Sequence, residues 1–413
     1  MNKKYKNKLG TLGFSKNNLN FDQIAKKTLS IFIIPILLNL AIQSNTFADK
    51  PNEDPKILSE AAILIEESSG RVLYEKNADH LMYPASLTKV ATAIYAIEKG
   101  NLEDLVTVSE RARQVDGTRV YLEVGEKVSL RKLIQGLLIN SGNDAGVAIA
   151  EYLDGSEEEF AASLNAYLQG IGLNRTHFVN PHGLFNPNHT TTARDLAIMT
   201  QYSMKNADFR EIFGIRDLKW DGEVWDTTIY NHHKLMRERP YEGITGGKTG
   251  YVDESKHTLI TTAKRGNMSV IAVVLKGQSQ DIIYNDTVEL LDYAFNNFEL
   301  VAIPKGKEYS LNGKKFITNE MYSFPITNNE EITEEITKEG LLEIKNQFQE
   351  KIVTFPIREM KTPEIKKEKQ MTEEKAGNFG SLNSVTFIVV IGIVSSFIFL
   401  RIKKKRIRLR KFW

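Results

Sequence analysis

The sequence predicts an α+β fold, and three observations carry that expectation. Strand-like runs open the body of the chain, amphipathic helical periods fill its middle, and antiparallel strand signals return late. Together they predict one α+β domain over residues 54–300. A length of 413 residues leaves room for one or two further units.

The elements follow in order. Residues 61–74, AAILIEESSGRVLY, read as two strands around a Ser-Ser-Gly turn. Over 89–99, Val90, Ala93, Ile94 and Ile97 recur with a helical period. Residues 130–139 and 145–153 read as two amphipathic helices separated by the polar knot Asn140-Ser141-Gly142-Asn143-Asp144. Further helices are expected over 160–173 and 193–204. Strands are expected over 243–249, 257–264 and 268–275, with Arg265-Gly266-Asn267 as a hairpin turn. A helix over 281–298 closes the domain. Short β-like runs at 315–318 and 352–356 predict a small β-rich module over 301–358.

Both ends read as membrane segments. Residues 1–27 carry seven lysines and one aspartate, and the apolar stretch 28–42 ends in the small-residue exit Thr46-Phe47-Ala48. This pattern predicts a signal peptide over 1–48, cleaved after Ala48, with an uncleaved anchor as the alternative. Residues 359–381 are charged and lack an apolar face, as in a tether. Residues 382–400 are uncharged and, at about 1.5 Å per residue, reach about 28 Å, enough for a transmembrane helix. The tail 401–413 holds eight basic residues and no acid, which places it in the cytoplasm and the body outside. An interfacial helix is the alternative for that basic run.

Composition excludes several classes. The chain has no cysteine, which removes thiol catalysis, thiolate zinc sites and disulfides. Net charge is +2, but residues 28–400 hold 39 basic and 51 acidic side chains, so the body is acidic and nucleic acid is not an expected partner. Seven histidines include no H-E-x-x-H pair, and no metal is expected.

Three short motifs carry the chemistry: Ser86-Leu87-Thr88-Lys89, Ser141-Gly142-Asn143 and Lys248-Thr249-Gly250. Singly they are weak. S-x-x-K recurs at Ser129–Lys132, where Ser129 reads as an N-cap, and S-x-N recurs at Ser15, Ser163, Ser310 and Ser381. Their order and placement on a helix start, an interhelical loop and a strand give them weight. A serine three residues before a lysine shares its helical face. A hydroxyl needs a neighbouring base, and lysine can serve when burial and a second cation, here Lys248, depress its pKa. The helix start also offers backbone N–H groups to a developing oxyanion.

With Tyr83–Lys89, Val120–Glu126, Asn140–Ala145, Thr176–Leu184 and Thr191–Asp195, the chain resembles the serine D-alanyl-D-alanine carboxypeptidases, low-molecular-mass penicillin-binding proteins. The resemblance implies a β-lactamase/transpeptidase-like domain, an antiparallel sheet with a helical subdomain. It implies that Ser86 is the acylated nucleophile, Lys89 its base and Ser141 a proton relay to the leaving nitrogen. Asn143, Lys248, Thr249 and Gly250 would bind substrate, Gly250 by letting a peptide pair with the strand edge, and the N–H groups of Ser86 and Tyr251 would form the oxyanion hole. The implied partners are a peptidoglycan stem peptide ending in D-Ala-D-Ala and β-lactams as covalent inhibitors, with no cofactor.

One departure follows K-T-G: Asp253-Glu254-Ser255-Lys256-His257 has no glycine, which predicts a looser bend into the next strand. His177 and His182 read as structural, and His232-His233 as a surface pair. The alternatives are a D,D-endopeptidase or β-lactamase on the same core, or a non-catalytic penicillin-binding scaffold. Class A β-lactamases place a glutamate in E-x-x-L-N, and here Ala161 stands in that place before Leu164-Asn165.

Overall fold

The computed structural model describes residues 54–327 and 330–360. The expected signal peptide, the tether beyond residue 360, the transmembrane span and the basic tail lie outside the described residues. Among the described residues no helix is long and apolar enough to cross a membrane.

The first strand, β1 (Ala61–Glu66), is buried throughout because it has a neighbour on each side. It pairs with β2 (Val72–Lys76) and, antiparallel in register Ala61↔Leu275, with a strand far along the chain. Its alternating side chains enter two cores. Ile63 and Ile65 join Val90, Ile94 and Leu196 on one face, while Ala62 and Leu64 meet Ile283, Leu290 and Leu291 on the other. Helix α1 (Thr88–Lys99) is buried from Thr88 to Ile97, so it lies inside the domain rather than on it.

A short ladder of β3 (Leu105–Thr107) and β4 (Lys127–Ser129) brackets α2 (Glu110–Gln114). The helical layer continues through α3 (Leu130–Ile139), α4 (Asn143–Asp154), α5 (Glu157–Gly170), α6 (Ala193–Ser203) and α7 (Ala207–Phe213). Ser129 caps α3, accepting from the Lys132 N–H at 3.3 Å, so its S-x-x-K is structural. A hairpin of β5 (Asp217–Asp221) and β6 (Asp226–Tyr230), not expected from sequence, buries Trp220 against Gly136 of α3.

The sheet is completed by β7 (Ile244–Val252), β8 (Lys256–Arg265) and β9 (Met268–Gly277), in the order β2-β1-β9-β8-β7. Strand β7 is therefore an edge. The bend from β7 to β8 is tight, contrary to the looser turn expected. Val252 pairs with Lys256 across three residues, Ser255 Oγ accepts from the Val252 N–H at 3.1 Å, and Lys256 takes φ +51° in place of a glycine. Helix α8 (Gln280–Asn297) covers the second face of the sheet.

The β-rich module runs from Phe298 to Glu359 in short antiparallel ladders around Ile303, Phe324, Leu342, Ile344 and Phe355. Arg71, in the β1–β2 turn, binds Glu330 with both guanidinium nitrogens at 2.9 and 2.7 Å and also donates to the Pro325 carbonyl. Both side chains are largely buried, so this bidentate pair fastens the module to the sheet.

Candidate active site

Ser86 sits in a single 3-10 turn, Ala85–Leu87, immediately before α1. Neither turn nor helix uses its hydroxyl as a cap, which leaves that oxygen free for chemistry. The bend is held from three sides. Thr258 of β8 donates to the Pro84 carbonyl at 3.0 Å, and Thr88 Oγ1 donates to the Ala85 carbonyl at 2.8 Å. Gly183 lies so close beneath that a side chain there would fall 1.9 Å from the Ala85 oxygen, and its φ of +87° also demands glycine. His189 completes the support. Its Nδ1 accepts from the Val179 N–H at 3.1 Å, so the ring proton is on Nε2, 2.7 Å from Thr88 Oγ1.

Lys89, one turn after Ser86, has no exposed surface. Its Nζ lies 2.9 Å from Ser86 Oγ, 2.7 Å from Asn143 Oδ1 and 2.6 Å from the His182 carbonyl oxygen. The last two can only accept. A neutral amine has two hydrogens and one lone pair, so the hydrogens go to those two acceptors and the lone pair is left facing the serine. Burial drives the Lys89 pKa well below its ordinary value, and the charge of Lys248 pushes the same way, with Asp144 opposing.

Ser141 takes φ +62° in the loop between α3 and α4, which turns its hydroxyl toward β7. There Lys248 Nζ donates to Ser141 Oγ at 3.0 Å and to the Thr249 carbonyl at 2.8 Å. The three motifs thus converge through two lysines, Lys89 joining the first to the second and Lys248 joining the second to the third. Lys248 is 2% exposed, and burial pushes its pKa down to about 7.

The side-chain amide of Asn143, the residue expected to bind substrate, bridges Lys89 and the Asp116 carbonyl, to which Nδ2 donates at 2.7 Å. Asp144, missed by sequence reading, is fully buried and accepts from the N–H groups of Val120, Leu122 and Ala145. It locks the loop carrying Ser141. Only its position beside S-x-N could have drawn attention to it.

On β7, a Cβ added to Gly250 would lie 3.0 Å from the Ser86 nitrogen, 3.0 Å from the Pro84 oxygen and 2.4 Å from Thr258 Oγ1. The glycine is required by the approach of the strand to the serine turn, a reason the sequence did not suggest. β7 therefore meets the serine turn at Gly250, the residue before Tyr251. Thr249 is half-buried on the same edge strand, and Tyr251 is exposed.

His182 is buried and structural as expected. Its Nδ1 accepts from the Leu184 N–H, its Nε2 lies 3.2 Å from Glu157, and burial lowers its pKa. His233 corrects the expected surface pair: it is buried, with Nε2 2.7 Å from Thr261 Oγ1 under the Gly247 backbone. Among the described residues no cluster of His, Asp and Glu could hold a metal ion.

An antiparallel sheet, a buried central helix headed by a lysine-bonded serine, and a second serine–lysine pair at an open strand edge define the penicillin-binding and transpeptidase fold class. Penicillin binding protein 5 of Haemophilus influenzae superposes with a TM-score of 0.66 at 26% identity, covering 75% of this chain and 98% of that one. A variant of the Streptomyces K15 DD-transpeptidase superposes at 0.56 with 28% identity, covering 59% and 99%. By sequence, the D-alanyl-D-alanine carboxypeptidase DacF of Bacillus subtilis is 36% identical over 287 residues, 66% of this chain and 72% of the relative. DacA of Escherichia coli K12 is 32% identical over 277 residues, 62% and 66%. Residues 48–279 match the peptidase S11 family, described as D-alanyl-D-alanine carboxypeptidase, and the chain belongs to that family.

Proposed function

We propose that this chain is a serine-type D-Ala-D-Ala carboxypeptidase that removes the terminal D-alanine from peptidoglycan stem peptides. The observation that carries this reading is Lys89, buried with two obligate acceptors and Ser86 as its third neighbour.

Ser86 Oγ attacks the carbonyl of the penultimate D-alanine while its proton passes to Lys89 Nζ. The N–H groups of Ser86 and Tyr251 stabilise the oxyanion, a contribution of about 10²–10³ in rate per donor. Ser141, oriented by Lys248, relays a proton to the departing nitrogen, the C–N bond breaks, and D-alanine leaves. Water then attacks the Ser86 ester, giving up a proton as the serine regains its own, and the shortened peptide departs. Lys248 and Thr249 hold the terminal carboxylate. That anion raises the Lys248 pKa again, so substrate binding itself favours the charged form. A β-lactam follows the same first step, its ring amide replacing the scissile bond.

The apolar run 382–400 and the basic tail 401–413 support a single C-terminal anchor with the catalytic domain outside the cell membrane, after removal of residues 1–48. Protease added to intact protoplasts should remove the body and leave a short protected C-terminal fragment. A fully protected body would refute the topology. For the activity, the full chain should release free D-alanine from a soluble D-Ala-D-Ala peptide and the Ser86→Ala variant should not. Equal release by both would refute the nucleophile.

A further inference from the structure

The rim beside Ser141 carries an aromatic and cationic surface that the acylation machinery leaves unused. It begins directly over the Lys89 pocket: the Asn143 N–H donates to the Thr118 carbonyl at 2.7 Å, and a Cβ on Gly117 would lie 2.6 Å from Asn143 Nδ2. From there the segment runs along the motif loop. Asn140 Nδ2 donates to the Arg119 carbonyl at 2.9 Å, and the Val120 and Leu122 N–H groups reach Asp144 at 3.0 and 3.2 Å. Tyr121 between them takes φ +55°, which lets those N–H groups converge on one carboxylate and leaves the residue 43% exposed.

Trp225, on the β5–β6 connection, meets that ring edge-on at 5.0 Å. Glu126, 4% exposed, fastens the two segments together by accepting from the Glu123 N–H at 2.9 Å and the Glu223 N–H at 3.3 Å. The shelf is therefore preformed. The Arg119 guanidinium carbon lies 5.4 Å from the centre of the Tyr121 ring, and its Nη1 donates to the Arg113 carbonyl. Arg113 is paired with Glu123, whereas Arg119 has no carboxylate within ion-pair distance among the described residues; its Nε is shut off from solvent without a hydrogen-bond partner, which leaves the Nη end of the guanidinium to meet a ligand.

We infer that Arg119, Tyr121 and Trp225 form the subsite for the side chain that precedes D-Ala-D-Ala in the stem peptide, and that Arg119 selects a side chain ending in a carboxylate. The inference rests on the proposed carboxypeptidase reading. A substrate with its scissile carbonyl at Ser86 and its backbone along β7 would extend toward Asn143, to which the shelf segment is tied through Thr118 and Gly117. Aromatic faces cover an extended aliphatic stem, and a partly buried guanidinium without an anion recognises a carboxylate in a fork geometry that an ammonium or amide cannot use. A diamino diacid has both the stem and the carboxylate.

The test compares kcat/KM for D-alanine release by the full chain from two peptides. One carries side-chain-acetylated lysine before D-Ala-D-Ala, the other meso-diaminopimelate. The wild-type chain should prefer the second about tenfold, the scale of one charge-assisted contact in a half-buried site. Arg119→Gln should bring the ratio to within about twofold, close to the loss of that one contact. Trp225→Ala should raise KM for both peptides more than it changes kcat. The ratio within one variant cancels any general loss of folding or acylation. No preference in the wild type, or a preference that survives Arg119→Gln, would overturn the inference. So would efficient release only from peptides still joined to their disaccharide, which would make the shelf a glycan site. Release from neither peptide by the wild type would instead overturn the carboxypeptidase reading on which the inference stands.

Discussion

Gly250→Ala isolates the abutment of β7 on the serine turn. The new methyl would sit 2.4 Å from Thr258 Oγ1 and 3.0 Å from two backbone atoms, the Pro84 oxygen and the Ser86 nitrogen. The Thr258 hydroxyl cannot simply rotate away, because it donates to Pro84 at 3.0 Å, a buried bond worth about 1 kcal/mol. The two backbone atoms cannot yield without shifting the turn itself. Overpacking of this kind costs about 1–3 kcal/mol of stability. The kinetic loss should be larger than that figure suggests if, as proposed, the Ser86 and Tyr251 N–H groups form the oxyanion hole, because the shift would separate them and losing one oxyanion donor costs about 10²–10³ in rate. Stopped-flow acylation by benzylpenicillin, beside thermal unfolding of the same sample, measures both. The double variant Gly250→Ala/Thr258→Ala removes the 2.4 Å contact and keeps the backbone ones, so it should recover part of the stability and little of the rate. A folded Gly250→Ala chain acylated within about threefold of wild type, far short of one lost donor, would refute the geometric argument.

Ser129→Ala should leave penicillin labelling intact and lower stability by about 1 kcal/mol, the value of an N-cap, while Ser86→Ala should abolish labelling in a folded protein. Labelling lost with Ser129→Ala and kept with Ser86→Ala would reverse the motif assignment. The buried histidines predict acid sensitivity. Burial holds both His189 and His233 down to about 3, whereas the unfolded chain takes up those protons near about 6.5. Between those values the unfolded state binds more protons, so their stabilisation is complete above about pH 6.5 and declines as pH falls toward 3. Tm measured from pH 7 down to pH 5, above the range in which most carboxylates titrate, should fall steadily. A flat profile would contradict the buried neutral assignment.

Much of this was legible because periodicity and burial coincide. Leu130–Ile139 is helical over the range its apolar period predicts, and α6 and β9 begin at their predicted residues. The chain order of strands and helices gave the α+β layout, since β1 lies inside the sheet by pairing with β2 on one side and the late strand β9 on the other. Contacts distant in sequence were not legible. His182 offers Lys89 a backbone oxygen, which any residue possesses, and Gly250 is a glycine because of Pro84 and Ser86 in another element. The β5–β6 hairpin was missed because each strand is only five residues long: Leu218 and Trp220 alternate with polar residues in β5, but Asp226-Thr227-Thr228-Ile229-Tyr230 repeats no such pattern. His233 looked like surface because it sits between polar neighbours, yet the Gly247 backbone leaves room for its ring beneath the sheet. The glycine-free bend failed as an indicator because Ser255 and a left-handed Lys256 close the turn instead.

The central claim is that Lys89 accepts the Ser86 proton while Lys248 supplies charge. The rate of acylation by benzylpenicillin, followed from pH 5 to pH 10 in the wild type, Lys89→Arg and Lys248→Arg, tests it most directly. In the wild type the rate should rise as the buried lysine pair loses its first proton and fall as Lys248 loses its own, a coupled, bell-shaped profile. Lys89→Arg should show no acylation at any of these values, because guanidinium does not release its proton in this range. Lys248→Arg should retain part of the rate and lose the alkaline decline. Substantial acylation by Lys89→Arg would remove Lys89 as the base, and equal, complete loss in both variants would show that the two lysines do not divide the work in this way.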